Sequence, residues 1–177
     1  MNTIRVEYTV TVGDYRMASY YALFLRHRKP LLFMFIVVIG AVLYASAALL
    51  GMGSANPLVF FLAGAYAFWG ILLFAGTEKN ILKYVKTPGN LLGHKCQACF
   101  EKDRIRIRVP DKKADFICPT HKLACIFELN ALFLLYADTQ EVFIVPKRAF
   151  EAGELVQLRQ SFRNCLKDRF STRFDKK

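Results

Sequence analysis

The 177 residues carry 25 Lys and Arg against 14 Asp and Glu, a formal net charge of +11, yet 54% of them are hydrophobic. A chain this apolar and this basic excludes an even mixture of the two characters, which must occupy different stretches. They do: residues 30–77 run for 48 positions without one charged side chain, whereas the following 100 residues hold 20 basic and 12 acidic groups. With the charge-free stretch set aside, the remainder suffices for one compact domain and leaves no room for a second.

Residues 4–11 alternate, with Ile4, Val6, Tyr8 and Val10 on one side and Arg5, Glu7, Thr9 and Thr11 on the other, the pattern of a half-buried strand. A strand this short does not stand alone, so it is expected to pair with a sheet formed later in the chain. Thr11 followed by Asp14 reads as a capping box, and Tyr15, Ala18, Ala22 and Leu25 then recur at helical spacing, which predicts a helix over residues 13–29. Tyr15, Tyr20 and Tyr21 with Arg26, His27, Arg28 and Lys29 suit a helix at a membrane interface. Residues 1–29 are thus read as a strand and an interfacial amphipathic helix, with Pro30 bending the chain into the apolar stretch.

A bilayer core of about 30 Å needs roughly 20 helical residues, because no water is available there to satisfy the backbone. The stretch 30–77 divides to fit, into residues 31–50 and 57–76, joined by Gly51-Met52-Gly53-Ser54-Ala55-Asn56. Pro57 falls at the first helical position, where its missing N–H costs nothing. A two-helix transmembrane hairpin is the prediction. Arg26, Arg28 and Lys29 precede it, Lys79, Lys83 and Lys86 come after it, and the turn has no basic residue, so both termini are expected on the cytoplasmic side. The same six cations are expected at lipid-headgroup height. Gly40, Ala41, Ala45, Ala47, Ala48, Ala63, Gly64, Ala67 and Gly70 permit close packing, either of the hairpin on itself, which is favoured, or along a homo-oligomer seam. Ala45-Ser46-Ala47 has the form of a signal-peptidase site, but a second full span begins almost at once.

Residues 78–92 read as a helix end and linker closed by Thr87-Pro88-Gly89-Asn90. Residues 93–177 read as a β domain, with strands at 93–101, 104–109, 112–117, 123–129, 132–137 and 142–145 in an antiparallel meander. A terminal helix over residues 151–170 places Leu155, Leu158, Phe162, Leu166 and Phe170 on one stripe. Glu151 and Glu154 stand at its start, and Arg163, Lys167 and Arg169 near its end. With the N-terminal strand, seven strands and a closing helix are the inventory of a pleckstrin-homology-like half-open barrel. The fold class expected is therefore membrane α+β: a transmembrane hairpin plus an antiparallel β-rich cytoplasmic domain with a C-terminal helix.

Three groups of residues could carry chemistry. Cys96-x-x-Cys99 followed by Cys118-x-x-His121 has zinc-ligand spacing, but strand alternation puts Cys96 and Cys99 on opposite faces, so small buried cysteines are the favoured reading. An odd total of five cysteines, with no dense framework, suits a reducing compartment. Arg104, Arg106 and Arg108 share one strand face about 7 Å apart, where they could grip phosphates, although a solvated outer face is the favoured reading. Lys147 and Arg148 could hold an anion at the start of the terminal helix, although a structural turn with both cations in water is favoured. There is no Ser–His–acid set, carboxylate pair or phosphate-cradling glycine loop, and His27, His94 and His121 are scattered. Neither catalysis nor a cofactor is expected, and no nucleic-acid partner.

The order of parts resembles the YcxB-like family of bacterial membrane proteins. Glu7-Tyr8-Thr9-Val10-Thr11 with Asp14-Tyr15, the basic stretch before a two-span hairpin, Phe133-Leu134-Leu135-Tyr136, and above all Ile144-Val145-Pro146-Lys147-Arg148-Ala149-Phe150 carry the likeness. Cys118-Pro119 departs from the Pro-Trp pair usual in that family. The resemblance implies a bacterial inner-membrane protein whose soluble part is a YcxB-like C-terminal domain. The expected function is a membrane-tethered interaction or regulatory module that presents its β domain to a protein partner. The alternatives are an anionic lipid-headgroup sensor and a metal- or redox-linked regulator using Cys96, Cys99, Cys118 and His121.

Overall fold

The computed structural model describes residues 3–51, 56–101, 103–137 and 141–172, so the predicted connections at 52–55, 102 and 138–140 lie outside the described residues. The chain is α+β and divides into two compact units, Met1–Ala18 with Pro88–Lys177, and Ser19–Thr87.

In the first unit, β1 (Ile4–Thr9), β2 (Lys95–Phe100), β3 (Arg104–Val109) and β4 (Ala114–Pro119) form one antiparallel sheet in that order. The N-terminal strand pairs with β2 across about ninety residues of intervening sequence, with Ile4 opposite Phe100 and Tyr8 opposite Cys96. Alternation sends Ile4, Val6, Tyr8, Ala98, Phe100, Ile105 and Ile107 into a common core and their neighbours outward. The second sheet is ordered β7-β6-β5-β8, from β5 (Cys125–Glu128), β6 (Leu132–Tyr136), β7 (Val142–Pro146) and β8 (Phe170–Thr172). Strand β6 does not alternate because Leu132 to Leu135 are buried on both its faces.

Two expectations about this unit are corrected. The strands do not form one continuous meander: after β4 a single 3-10 turn, Thr120–Lys122, carries the chain into the second sheet. The terminal helix is also shorter than its apolar spacing suggests. Helix α4 (Ala152–Leu166) stops where Lys167 takes a left-handed φ of 47°, and Phe170 then enters β8, which runs parallel to β5 opposite Ile126. Phe170 still joins Leu158, Phe162 and Leu166 in the core, so burial satisfied the residue without prolonging the helix. Strand β4 likewise starts late, because Pro110–Lys112 form a 3-10 turn and Lys113 has φ 51°.

Helix α1 (Val12–Arg26) opens on the expected capping box. The Thr11 backbone N–H donates to Asp14 Oδ2 at 2.8 Å, and the Asp14 N–H donates to Thr11 Oγ1 at 3.2 Å. The break from α2 (Arg28–Leu49) falls at His27 rather than at Pro30. Pro30 is the third residue of α2, where its missing N–H has no intrahelical partner to lose.

Within the second unit, α3 (Pro57–Lys86) begins with Pro57 at its first position and Asn56 Oδ1 accepting the Leu58 N–H at 3.0 Å. It runs 30 residues, ten beyond the apolar stretch read from sequence, because the charges after residue 77 do not break a helix. Ring pairs Tyr44–Phe60, Phe33–Tyr66 and His27–Trp69 show α2 and α3 packed antiparallel. Both helices are long and apolar enough to cross a membrane. Of the small residues, Ala41, Ala63 and Gly70 are buried. A Cβ on Gly70 would run into Met34 Sδ, whereas one on Gly40, Gly64 or Gly76 would meet nothing. Gly70→Ile is therefore expected to weaken the helix pair by about 1–3 kcal/mol, and Gly64→Ile to leave it unchanged. Thermal melts of the two variants in detergent compare them; equal melting temperatures would refute this packing.

Candidate functional site

The outward face of the first sheet gathers most of the charged strand residues. Arg5, Cys99, Arg106 and Ile117 lie in one cross-strand row, and Glu7, Gln97, Arg108 and Asp115 in the next. Opposite charges have found one another across these rows. Arg106 grips Asp115 with Nε at 2.9 Å from Oδ1 and Nη2 on Oδ2, and Arg104 Nε donates to Glu101. Gln97 Nε2 donates to Glu7 Oε1 at 2.7 Å. The hydrogen bonds from Arg104 and Arg106 hold the Glu101 and Asp115 carboxyls below their usual range. Between these groups lies a groove of about 430 Å³, lined by Arg5, Glu7, Gln97, Cys99, Arg106 and Arg108 among others. The three predicted strand arginines thus share one face, but with resident carboxylates, and Arg5 joins them from β1.

Lys147 and Arg148 are elsewhere and do not form the exposed cation pair expected from their sequence. Lys147 Nζ lies 2.6 Å from Glu128 Oε1 and 5.1 Å from the centre of the Phe133 ring, its side chain only 11% exposed. Arg159 from α4 completes the cluster, with Nε 2.9 Å from Glu128 Oε2 and Nη2 2.6 Å from Oε1. The Glu128 side chain is fully buried. Burial alone would raise its carboxyl pKa, but the hydrogen bonds from Arg159 and Lys147 outweigh burial and hold it below the usual range. Arg148 reaches the other way, with Nη1 2.8 Å from Asp14 Oδ1, Nη2 2.6 Å from Oδ2, and a further bond of 2.8 Å to the Thr9 carbonyl. Asp14 is also held low, burial being outweighed by Arg148 and Thr11. Two consecutive cations therefore clamp the start of α1 and the β5–α4 junction; both are committed to internal carboxylates.

The cysteine and histidine set is not brought together. Cys96 faces the core opposite Tyr8, while Cys99 faces out opposite Arg5. Cys118 lies in the row of Phe100 and Ile105, four residues along β2 from Cys96, or about 13 Å by strand rise. His121 stands in the turn after β4, and no cluster of three His, Cys, Asp or Glu able to hold a metal exists among the described residues. Of the three cysteines in this set only Cys96 is buried, while Cys99 and Cys118 are half-buried, which corrects the reading of the set as buried cysteines.

Arg26 ends α1, Arg28 and Lys29 form the first turn of α2, and Lys79, Lys83 and Lys86 succeed one another down the end of α3. Beside them, Tyr20 donates to Glu78 Oε1 at 2.7 Å, so the first acid after the apolar stretch joins α1 to α3. Glu128, Arg159 and the partners of Asp14 were missed from sequence. The available signal was Glu128 at the same strand parity as the buried Ile126, where a carboxylate must find a partner. Compared with known proteins, the chain matches no family profile, no curated protein and no solved structure.

Proposed function

We propose that this chain is a non-enzymatic, membrane-tethered interaction module of the bacterial inner membrane, of the YcxB-like kind. In this reading α2 and α3 are a transmembrane hairpin, and the β unit is a pleckstrin-homology-like cytoplasmic domain that offers the outer face of its first sheet to a protein partner. The observation that carries the proposal is the apolar surface of the two long helices. Their most hydrophobic windows are only 17% and 6% buried, whereas the core helix of a soluble protein would bury such surface. The flanking charges support it. Arg28 and Lys29 begin α2, where the helix dipole disfavours cations, and a cytoplasmic boundary accounts for them. Two four-stranded sheets joined by one turn and closed by α4 support the barrel-like reading.

Labelling tests the topology, in a background lacking the five native cysteines. A cysteine at Ser54 is expected to react with an impermeant maleimide in intact cells, and one at Lys95 only after permeabilisation. The reverse pattern, or equal labelling of both, would remove the hairpin. A photo-crosslinking side chain at Gln97, in native membranes, is expected to give a discrete protein adduct; adducts to lipid alone would favour the second reading. That second reading is a sensor of anionic headgroups, favoured by the stacking of Lys79, Lys83 and Lys86 on the last turns of α3, each worth about 1 kcal/mol at an anionic leaflet.

A further inference from the structure

We infer that the groove on the outer face of the first sheet is a binding site for a small phosphate monoester, free or as a lipid headgroup. The floor comes from β2, where Gln97 and Cys99 are shorter than the arginines beside them, and the rims carry Arg5 from β1 and Arg106 and Arg108 from β3. Its 430 Å³ falls within the range of small-molecule sites, roughly 300–1,000 Å³. By strand geometry Arg5 and Arg106 stand about 10 Å apart across β2, and Arg106 and Arg108 about 7 Å apart along β3, so their long side chains can converge on one ligand.

Charge decides the ligand class. The carboxylates of this face are already engaged: Glu101 by Arg104, Asp115 by Arg106, and Glu7 by Gln97. The Arg5 and Arg108 side chains make no hydrogen bond to any described residue and meet Glu101 and Asp115 only at longer range. Two guanidinium forks on opposite rims therefore keep their donors for an incoming anion. A monocarboxylate would bring no more charge or acceptor geometry than the three resident carboxylates. A phosphate monoester brings nearly two charges and three acceptor oxygens, enough to serve both forks at once. A long nucleic-acid backbone would have to run over Glu7 and Glu101 at the ends of the same groove, which disfavours it.

The inference rests on this face being the working surface of the proposed module, and its test is separate from the partner test. Full-length protein in neutral phosphatidylcholine nanodiscs is titrated by calorimetry with glycerol 3-phosphate and, in parallel, with short-chain phosphatidic acid. Saturable binding is expected, weakened about tenfold or more in the double variant Arg5→Gln/Arg108→Gln. It should be unchanged in the control Lys122→Gln, an exposed cation of the turn after β4 that does not line the groove. Both exposed arginines lie outside the core, and circular dichroism checks that the double variant keeps its fold. Equal affinity for the two probes identifies a free compound as the ligand type, and tighter lipid binding identifies a headgroup. Absence of saturable binding, or equal binding by wild type and the Arg5/Arg108 variant, overturns the site. A protein adduct at Gln97 together with that negative result would leave the interaction module standing without its ligand.

Discussion

Glu128→Ala is expected to cost the β unit about 3–5 kcal/mol, because it strands two part-buried cations that share one buried carboxylate. Lys147 is 11% and Arg159 30% exposed, so Lys147 bears most of the uncompensated burial. The loss approaches the whole stability of a marginal domain. Cys96, 3% exposed, provides the readout, since its modification in urea reports opening of the core. An unchanged urea midpoint for Cys96 labelling would show that the cluster contributes little. Arg148→Ala should be milder, about 1–3 kcal/mol, since Arg148 is half exposed while Asp14 loses its bidentate partner but keeps Thr11.

The same carboxylates set the acid response. Glu128 and Asp14 both titrate below their usual range in the folded chain. The unfolded chain then binds more protons as pH falls through the ordinary carboxylate range, about 4. Their contribution is full above that range and is lost as pH falls through their lowered folded values. In Glu128→Gln the acid-induced loss should be shallower than in wild type, measured as the urea midpoint against pH. Parallel curves would exclude Glu128 as a source of acid sensitivity.

Removal of residues 3–10 is expected to unfold the β unit although α4 and strands β2 to β8 remain. Ile4, Val6, Tyr8 and Val10 are 3%, 6%, 8% and 7% exposed. At about 1.5–3 kcal/mol for each fully buried side chain, the four supply roughly 6–12 kcal/mol as an upper estimate. A domain of this size has about 5–15 kcal/mol in all, so little or nothing would remain. Deletion also turns β2 into an edge strand, paired only with β3 and prone to pair with other chains. Limited proteolysis of full-length and deleted protein in detergent compares them: rapid cleavage within residues 95–172 is expected only after deletion. Val6→Asp, which keeps the chain length, should give the same sensitivity. Equal resistance of all three would mean that β1 is an accessory strand.

Legibility tracked the range of each interaction. The alternation of β1 and β3, the Thr11–Asp14 capping box and Pro57 at the start of α3 depend on residues a few positions apart, and all were readable. The end of α4 was not, because Leu166 and Phe170 keep helical spacing while the chain has already turned at Lys167. Whether β4 continues a meander or feeds a second sheet depends on what it packs against, which spacing does not record. Phe116 meets Phe143 of β7 at 5.3 Å between ring centres, a contact between the two sheets.

The candidate site divides in the same way. Arg104, Arg106 and Arg108 were assigned to one face by the period of the strand alone. Which carboxylate each received, and that Arg5 arrives beside them from the far end of the chain, depended on cross-strand register. Lys147 and Arg148 are adjacent in sequence yet bind Glu128 and Asp14, partners 19 and 134 positions away. Neighbouring residues were enough to establish that two long apolar helices and a basic, alternating β region share this chain, because hydropathy and period are local properties. That the first strand joins the later sheet was legible from its shortness, but long-range packing was needed to give it β2 as partner in a definite register, and to sort the charges into those that are internal and those that face the groove. Desolvation and pairing are set by whatever folds against a residue, from any distance along the chain.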